Sequence, residues 1–468
     1  MKLLVMSVLL ISLVGTACKV GPNYKKPNVQ TPNTYRADPS PQPDPQTLAD
    51  AKWFDVFKDE KLQELIRQAL VSNYDLRLAV ARVEQARASY GITRADQFPN
   101  IGASADLTTQ RLSRSGTITL PDVISRDRTF GSVLLNLLTF EVDVWGRLRR
   151  ATESARANLL ATEENRKAVI TTLVSDVATA YFNLRELDFE LEIAKRTLAS
   201  RQESLRIIKL RQERGVSNLL ELRQAEQLVY SAAEVIPATE QAIEQQENFI
   251  SFLVGRNPEG IARGLTLTEE QMPPRVPAGI PSDLIERRPD IRAAEEALVS
   301  ANALIGVAKA AYFPRITLTG FLGFESAQLT KLFNNSRSTW QFVPEVTQPI
   351  FTAGRLKSNV RFSEAQREEF LVNYERTIQN AFREVADSLI AYRKVKEVRA
   401  QRELLVETLE DRSRLAYMRY TGGVSNLLEA LDADRDLFGA ELNLAQTRRD
   451  ELLTVVQLYK ALGGGWQV

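Results

Sequence analysis

A chain of 468 residues with 60 Lys+Arg against 59 Asp+Glu, a formal net charge of +1, carries no basic field able to grip nucleic acid over many phosphates. It has no His and one Cys, which excludes His-based proton transfer, Cys/His metal sites and Ser-His-Asp triads, and it has no Gly-rich phosphate loop of the dinucleotide or P-loop kind. No catalytic centre, cofactor or metal is therefore expected, and an enzyme of this composition would have to work through carboxylates, Lys or Tyr.

At the N-terminus, Lys2 supplies a short basic region, Leu3 to Val14 an apolar core, and Gly15, Thr16 and Ala17 small residues leading into Cys18, so residues 1–17 read as a signal peptide. The only Cys lies at the cleavage point and has no internal disulfide open to it. Acylation of Cys18 is the economical reading, with an ordinary signal peptide and an incidental Cys as the alternative. Lys19, where an acid would mark retention at the inner membrane, favours a lipid-anchored protein of the outer membrane that extends into the periplasm. No later apolar run reaches the roughly 18 residues of a membrane-spanning helix, so a crossing of the membrane would have to use strands. Residues 18–52 read as a lipidated tether, Pro-rich from Pro27 to Pro45 and without a core of its own, with structure expected from near Trp53.

From there the chain repeats itself. Asp75 to Ile101 aligns without gaps on Asp290 to Ile316, and Gly146 to Gly255 on Gly354 to Gly463; the run Gly-Val-Ser-Asn-Leu-Leu-Glu recurs from Gly215 and from Gly423. The organisation that follows is a first repeat at 53–255, a connector at 256–280 and a second repeat at 281–468. Each copy reads helix, strand pair, long helix, turn, long helix, an α+β pattern.

After Phe98-Pro99 and Phe313-Pro314, the segments Ile101 to Thr109 and Ile316 to Phe324 alternate as strands, the second with Ile316, Leu318, Leu322 and Phe324 opposite Thr317 and Thr319. Phe130 to Val144 and Thr339 to Phe351 read as the return strands, with Leu134, Leu138, Phe140, Val142 and Val144 on one face of the first. Arg147 to Arg214 contains no Pro and no Gly, enough for a helix on the order of 100 Å at 1.5 Å per residue. Its apolar seam runs through Val177, Tyr181, Leu184, Leu187, Leu191, Ala194 and Leu198, and its charges, among them Arg185 and Glu186, are expected to cover the rest. Gly215 and Gly423 end the long helices, and Asn218-x-x-Glu221 and Asn426-x-x-Glu429 cap the return helices, so each copy holds an antiparallel hairpin with a tight tip.

Four strands cannot close a barrel, and an open amphipathic sheet in lipid leaves its edges unsatisfied. Closure would require protomers to pool strands, two giving about eight and three about twelve. Strand counting alone leaves the number of subunits open.

These residues resemble the TolC-like outer membrane factors, in the OprM-like lipoprotein branch of tripartite efflux systems. The likeness covers nearly the whole mature chain. It rests on Cys18-Lys19-Val20-Gly21-Pro22-Asn23-Tyr24, Trp53-Phe54, Phe140 to Leu148, Arg287-Arg288-Pro289-Asp290-Ile291, Gln348-Pro349-Ile350-Phe351 and the ending Tyr459 to Trp466. The resemblance implies a homotrimer with a 12-stranded barrel, about twelve strands pooled as above, in outer-membrane lipid, continued by an α-helical periplasmic tunnel. It implies a passive, gated duct supplied by a periplasmic adaptor (membrane fusion protein) and an inner-membrane pump of the resistance-nodulation-division class, exporting small molecules such as drugs and toxic compounds. It also implies a periplasmic gate on the helix after Gly423. Leu431-Asp432 matches a family pair whose carboxylate enters the pore, Leu428 matches an apolar constriction position, and Glu429 matches a second acid of some members. The alternative for Glu429 and Asp432 is a solvated outer face in an acidic run with Asp434 and Asp436. The first copy has Glu221 but Gln224 where the second has Asp432.

Three other readings share parts of this pattern. A type I secretion system would use the same kind of duct. A periplasmic adaptor would carry one hairpin flanked by compact β domains, against two hairpins here. A coiled-coil lipoprotein would need the seams but no strand pairs.

Overall fold

The computed structural model describes residues 19–36, 47–113, 125–270 and 277–467. Cys18, most of the loop between the first two strands and part of the connector lie outside the described residues. In chain order, a 3-10 turn at Leu48–Asp50 and a short helix α1 (Trp53–Val56) precede α2 (Glu60–Ser72) and α3 (Tyr74–Ala95). Then come β1 (Ile101–Arg111), β2 (Asp127–Glu141), α4 (Arg147–Glu213) and α5 (Leu219–Leu253). The second half supplies α6 (Pro281–Arg287), α7 (Pro289–Ala310), β3 (Arg315–Ser326), β4 (Ser338–Thr347), α8 (Arg355–Thr421) and α9 (Leu427–Ala461).

The duplication is written into element lengths: α3 and α7 have 22 residues each, α4 and α8 have 67, and α5 and α9 have 35. The chain divides into two compact units, residues 1–28, 83–162 and 294–374 in one, and residues 29–82, 163–293 and 375–468 in the other.

The first unit holds a four-stranded antiparallel sheet in the order β1-β2-β3-β4, leaving β1 and β4 as edges. Register sorts the side chains cleanly. Leu135 pairs with Ala103 and with Leu322, and Leu322 with Trp340, which places these residues on one face with Phe342 and Val346. The other face carries Ser104, Ser132, Asn136, Thr319 and Gln341, with Asn136 donating to Ser104 Oγ at 2.9 Å. The apolar face is uncovered within the protomer: Leu107, Leu135, Leu322, Trp340, Phe342 and Val346 are all exposed. No described helix is long and apolar enough to cross a membrane.

Two strand expectations need correction. β2 ends at Glu141 and β4 at Thr347, so Val142, Val144, Ile350 and Phe351 lie beyond the strands, Val142 keeping one bond from its amide to the Ile316 carbonyl at 2.9 Å. Leu134 does not share a face with Phe140 either, because a bulge between Leu137 and Phe140 sets three steps of β2 against two of β3, Gly320 to Leu318. One extra residue reverses the side-chain parity. Leu134 falls on the polar face opposite Ser104, and Phe140 keeps the apolar face opposite Leu318. The alternation expected of Ile316, Leu318, Leu322 and Phe324 holds in the observed register.

Where the sheet gives way to α4, Trp145 stacks on Phe313 at 4.7 Å and donates from Nε1 to the Pro314 carbonyl at 2.8 Å. Asp143 accepts from the Leu148 and Arg149 amides at 3.1 and 2.9 Å, capping the otherwise unsatisfied start of α4. Glu141 is paired by Arg147 at 2.8 Å and by Arg315 at 2.7 Å.

The second unit is cored on the middle of α4, where Val177, Tyr181 and Leu184 are fully buried. Phe57 packs its ring against those of Phe182 and Tyr459. Asp59 caps α2 through the Lys61 and Leu62 amides and also accepts from Tyr181 Oη at 2.8 Å and the Leu265 amide at 2.7 Å, so the connector is tied to α4 through one carboxylate. This connector overturns a further expectation. Arg185 and Glu186 do not cover a wet face of α4: Arg185 is buried and donates to the Leu265 carbonyl at 2.8 Å, and buried Glu186 meets Arg449 of α9 at 3.3 Å. The start of order is also earlier than Trp53, since Thr47 bridges to Ala278 and Tyr35 is buried with its ring 6.3 Å from Phe382.

Candidate gate at the hairpin tips

Both tips follow from the same local rule. Gly215 and Gly423 have φ of +66° and +74°, the left-handed conformation in which a long helix can stop and reverse at little cost only for Gly. Asn218 then accepts from the Glu221 amide at 2.9 Å and Asn426 from the Glu429 amide at 3.1 Å. Ser217 donates to Glu221 and Ser425 to Glu429, so each glutamate is held by its own turn.

The return helix α9 is two-sided. Leu427, Ala430, Leu431 and Ala433 are buried in a cluster with Ile208 of α4, Ala225 and Leu228 of α5, and Ala416 and Tyr420 of α8. Leu428 and Glu429 are exposed, and the Asp432 side chain retains 39% of its accessible surface, so these three share the stripe that the hairpin core leaves free. Leu431, the apolar member of the matched pair, points instead into the core.

Asp432 is not alone on that stripe. Arg435, one turn on, reaches Asp432 at 3.2 Å and Asp436 at 3.2 Å, while Arg412 of α8 reaches Asp436 at 2.8 Å. Hydrogen bonding to Arg412 holds the Asp436 carboxyl below its ordinary range. Beneath the stripe, buried Arg201 of α4 binds Asp434 at 2.7 Å, donates to the Leu228 carbonyl at 2.9 Å and sits 4.9 Å from the Phe438 ring. Burial raises the Tyr417 hydroxyl pKa beside Asp434. These arginines were absent from the sequence-derived site. The i, i+3 spacing of Asp432 and Arg435 was a readable signal for one of them; nothing local pointed to Arg201, which lies 233 positions from its partner.

One-faced apolar strands with two open edges, together with two capped helical hairpins, are the parts that define the class of this chain, and comparison with known proteins names it as an outer-membrane efflux channel protein. The profile of the outer membrane efflux protein family matches residues 65–256 and 280–464, and the chain belongs to that family. It is similar to the solvent efflux pump outer membrane protein SrpC of Pseudomonas putida, 39% identical over 461 residues and covering 96% of each chain. To the cation efflux system protein CusC of Escherichia coli it is 35% identical over 459 residues, 98% of each. The solved open state of the Neisseria gonorrhoeae MtrE outer membrane channel superposes with a TM-score of 0.87 at 34% identity, over 96% of this chain and 99% of that one. The chain is thus a TolC-like outer-membrane efflux component.

Proposed function

We propose that this chain is one protomer of a homotrimeric, passive, gated exit duct, fed by a periplasmic adaptor and an inner-membrane pump of the resistance-nodulation-division class. The observation that carries it is the sheet: it has four strands, an uncovered apolar face, and edges at β1 and β4 that in lipid demand pairing with further copies. In this reading the signal peptide is removed, Cys18 carries lipid, and Leu428, Glu429 and Asp432 line the periplasmic constriction. Transport energy comes from the pump, so the chain does no catalysis.

The cargo is small organic molecules. Soft cations select thiolate, thioether or imidazole ligands, and the chain has no His, one Cys and four Met. Single-channel recording on purified protein in planar bilayers, with organic-dye and copper export from deletion cells to which the gene has been returned, tests the whole reading. Conductance and dye export are expected, and a non-conducting oligomer would overturn the duct. Restoration of copper export alone would overturn the cargo class.

A further inference from the structure

Residues 19–26 were expected to belong to a loose tether, yet almost every one of them is fastened. The centre of the arrangement is Arg150, fully buried in the first turn of α4. A guanidinium out of water must have its donors satisfied. Here they are spent on the N-terminal segment: Nε donates to the Val20 carbonyl at 3.1 Å, and Nη2 to the Gly21 carbonyl at 3.1 Å and to Asn23 Oδ1 at 2.8 Å. Nη1 pairs with Glu153 at 3.0 Å, and the same carboxylate binds Lys19 at 2.5 Å.

The fit is closed sterically as well. Gly21 has φ of +94°, and a Cβ there would lie 2.5 Å from the Gly306 Cα; a Cβ on Gly306 would lie 2.8 Å from the Val20 carbonyl oxygen. Two glycines face each other because neither position has room for a side chain. From the second repeat, Asn302 donates to the Pro22 carbonyl at 3.0 Å, and Glu295 accepts from Tyr24 Oη at 3.0 Å and pairs with Lys26 at 3.4 Å. Burial and the neighbouring Glu295 raise the Tyr24 pKa, keeping its hydroxyl a donor.

We infer that Lys19–Lys26 is a fixed strap seated in a groove built around Arg150, and that the seat pins Lys19 and Val20 at the end of the β-sheet. The Val20 amide donates to the Trp145 carbonyl at 3.0 Å and Lys19 packs on Gly146, just past the last residue of β2. Any lipid on Cys18, in the reading given above, would therefore be joined to a fixed end of the chain and not to a free tether. Because Arg150 comes from the first repeat and Glu295, Asn302 and Gly306 from the second, the strap also staples the two repeats and can seat only when both have folded.

Trypsin supplies the test on the full-length protein in outer-membrane fractions. The strap offers the Lys19–Val20 and Lys25–Lys26 bonds, whereas Lys26–Pro27 is refractory by its own chemistry. In the wild type both bonds should survive digestion. In Arg150→Leu, Gly21→Val and Asn23→Ala they should be cut at least about tenfold faster, with cleavage elsewhere and oligomer mobility unchanged. Equal cutting in wild type and variants overturns the seat. If Arg150→Leu is degraded throughout, the two strap-side variants decide, since they leave the helices intact. An acyl probe read in parallel separates the two readings. An unlabelled Cys18 with a protected strap removes the lipid and keeps the seat; a labelled Cys18 with a strap cut freely in the wild type removes the seat.

Discussion

The two hairpin tips share a seven-residue sequence, a left-handed Gly and an Asn cap, yet they use the same leucine in opposite ways. Leu427 is 1% exposed, at the heart of the cluster between α4, α5, α8 and α9, whereas its counterpart Leu219 is 57% exposed. The backbone conformation of a tip is local chemistry. The burial of its side chains depends on which helices stand beside it, and the paired helices, though equal in length, do not have equal neighbours. The long helices differ in the same sense: Glu186 of α4 is buried, while its counterpart Lys394 on α8 is exposed and paired with Glu397 at 2.6 Å.

The contrast breaks most severely at Arg201, which has no equivalent contact from α8. Arg201→Met should leave the partly buried Asp434 unpaired at a cost of up to about 3–5 kcal/mol, read as a fall in the thermal midpoint of the oligomer, and Asp434→Leu added to it should recover much of the loss. Truncating the two tip leucines is the next test. Leu427→Ala should cost about 2–5 kcal/mol by opening a cavity, and Leu219→Ala within about 0.5 kcal/mol, as measured by thermal unfolding.

Substituting the glycines probes what the tips have in common. Gly215→Ala and Gly423→Ala should each cost about 1–2 kcal/mol and by equal amounts, because both have positive φ and neither Cβ would meet an atom within 4 Å. Unequal losses would show that tertiary context reaches even the turn.

A pH titration separates the long helices. Burial, then the neighbouring Glu190, raises the Glu186 pKa above its ordinary 4.5 despite Arg449. A raised carboxyl stabilises the fold most fully below pH 4.5, and that contribution is lost as pH rises through the elevated value. The thermal midpoint should therefore decline as pH rises from 4.5 to about 8, and Glu186→Gln should flatten the decline; an unaltered slope would remove Glu186 from the effect.

The smallest effect on stability, and the one that bears on gating, comes from the exposed stripe. Asp432→Ala should lower cation selectivity in planar bilayers and Leu428→Ala should raise resting conductance, each with the thermal midpoint moved by less than about 0.5 kcal/mol in equivalent terms. Gln224→Ala and Leu220→Ala in the first tip are the matched controls. Equal responses in both tips would move the constriction away from α9.

What could be read in one dimension were features set within a turn of helix or a pair of strands. The two 67-residue helices followed from runs free of Pro and Gly that end at a Gly stop, and the start of each return helix followed from the Asn cap in the recurring Gly-Val-Ser-Asn-Leu-Leu-Glu. The alternation of β3 followed from period two. The polar face of Leu134, the burial of Arg185 and Glu186, the pairing of Arg201 with Asp434 and the seating of the strap on Arg150 were all decided in three dimensions. Each turns on a partner far along the chain or on one inserted residue that reverses a register. Spacing reports which residues share a face, and only the fold reports what that face meets.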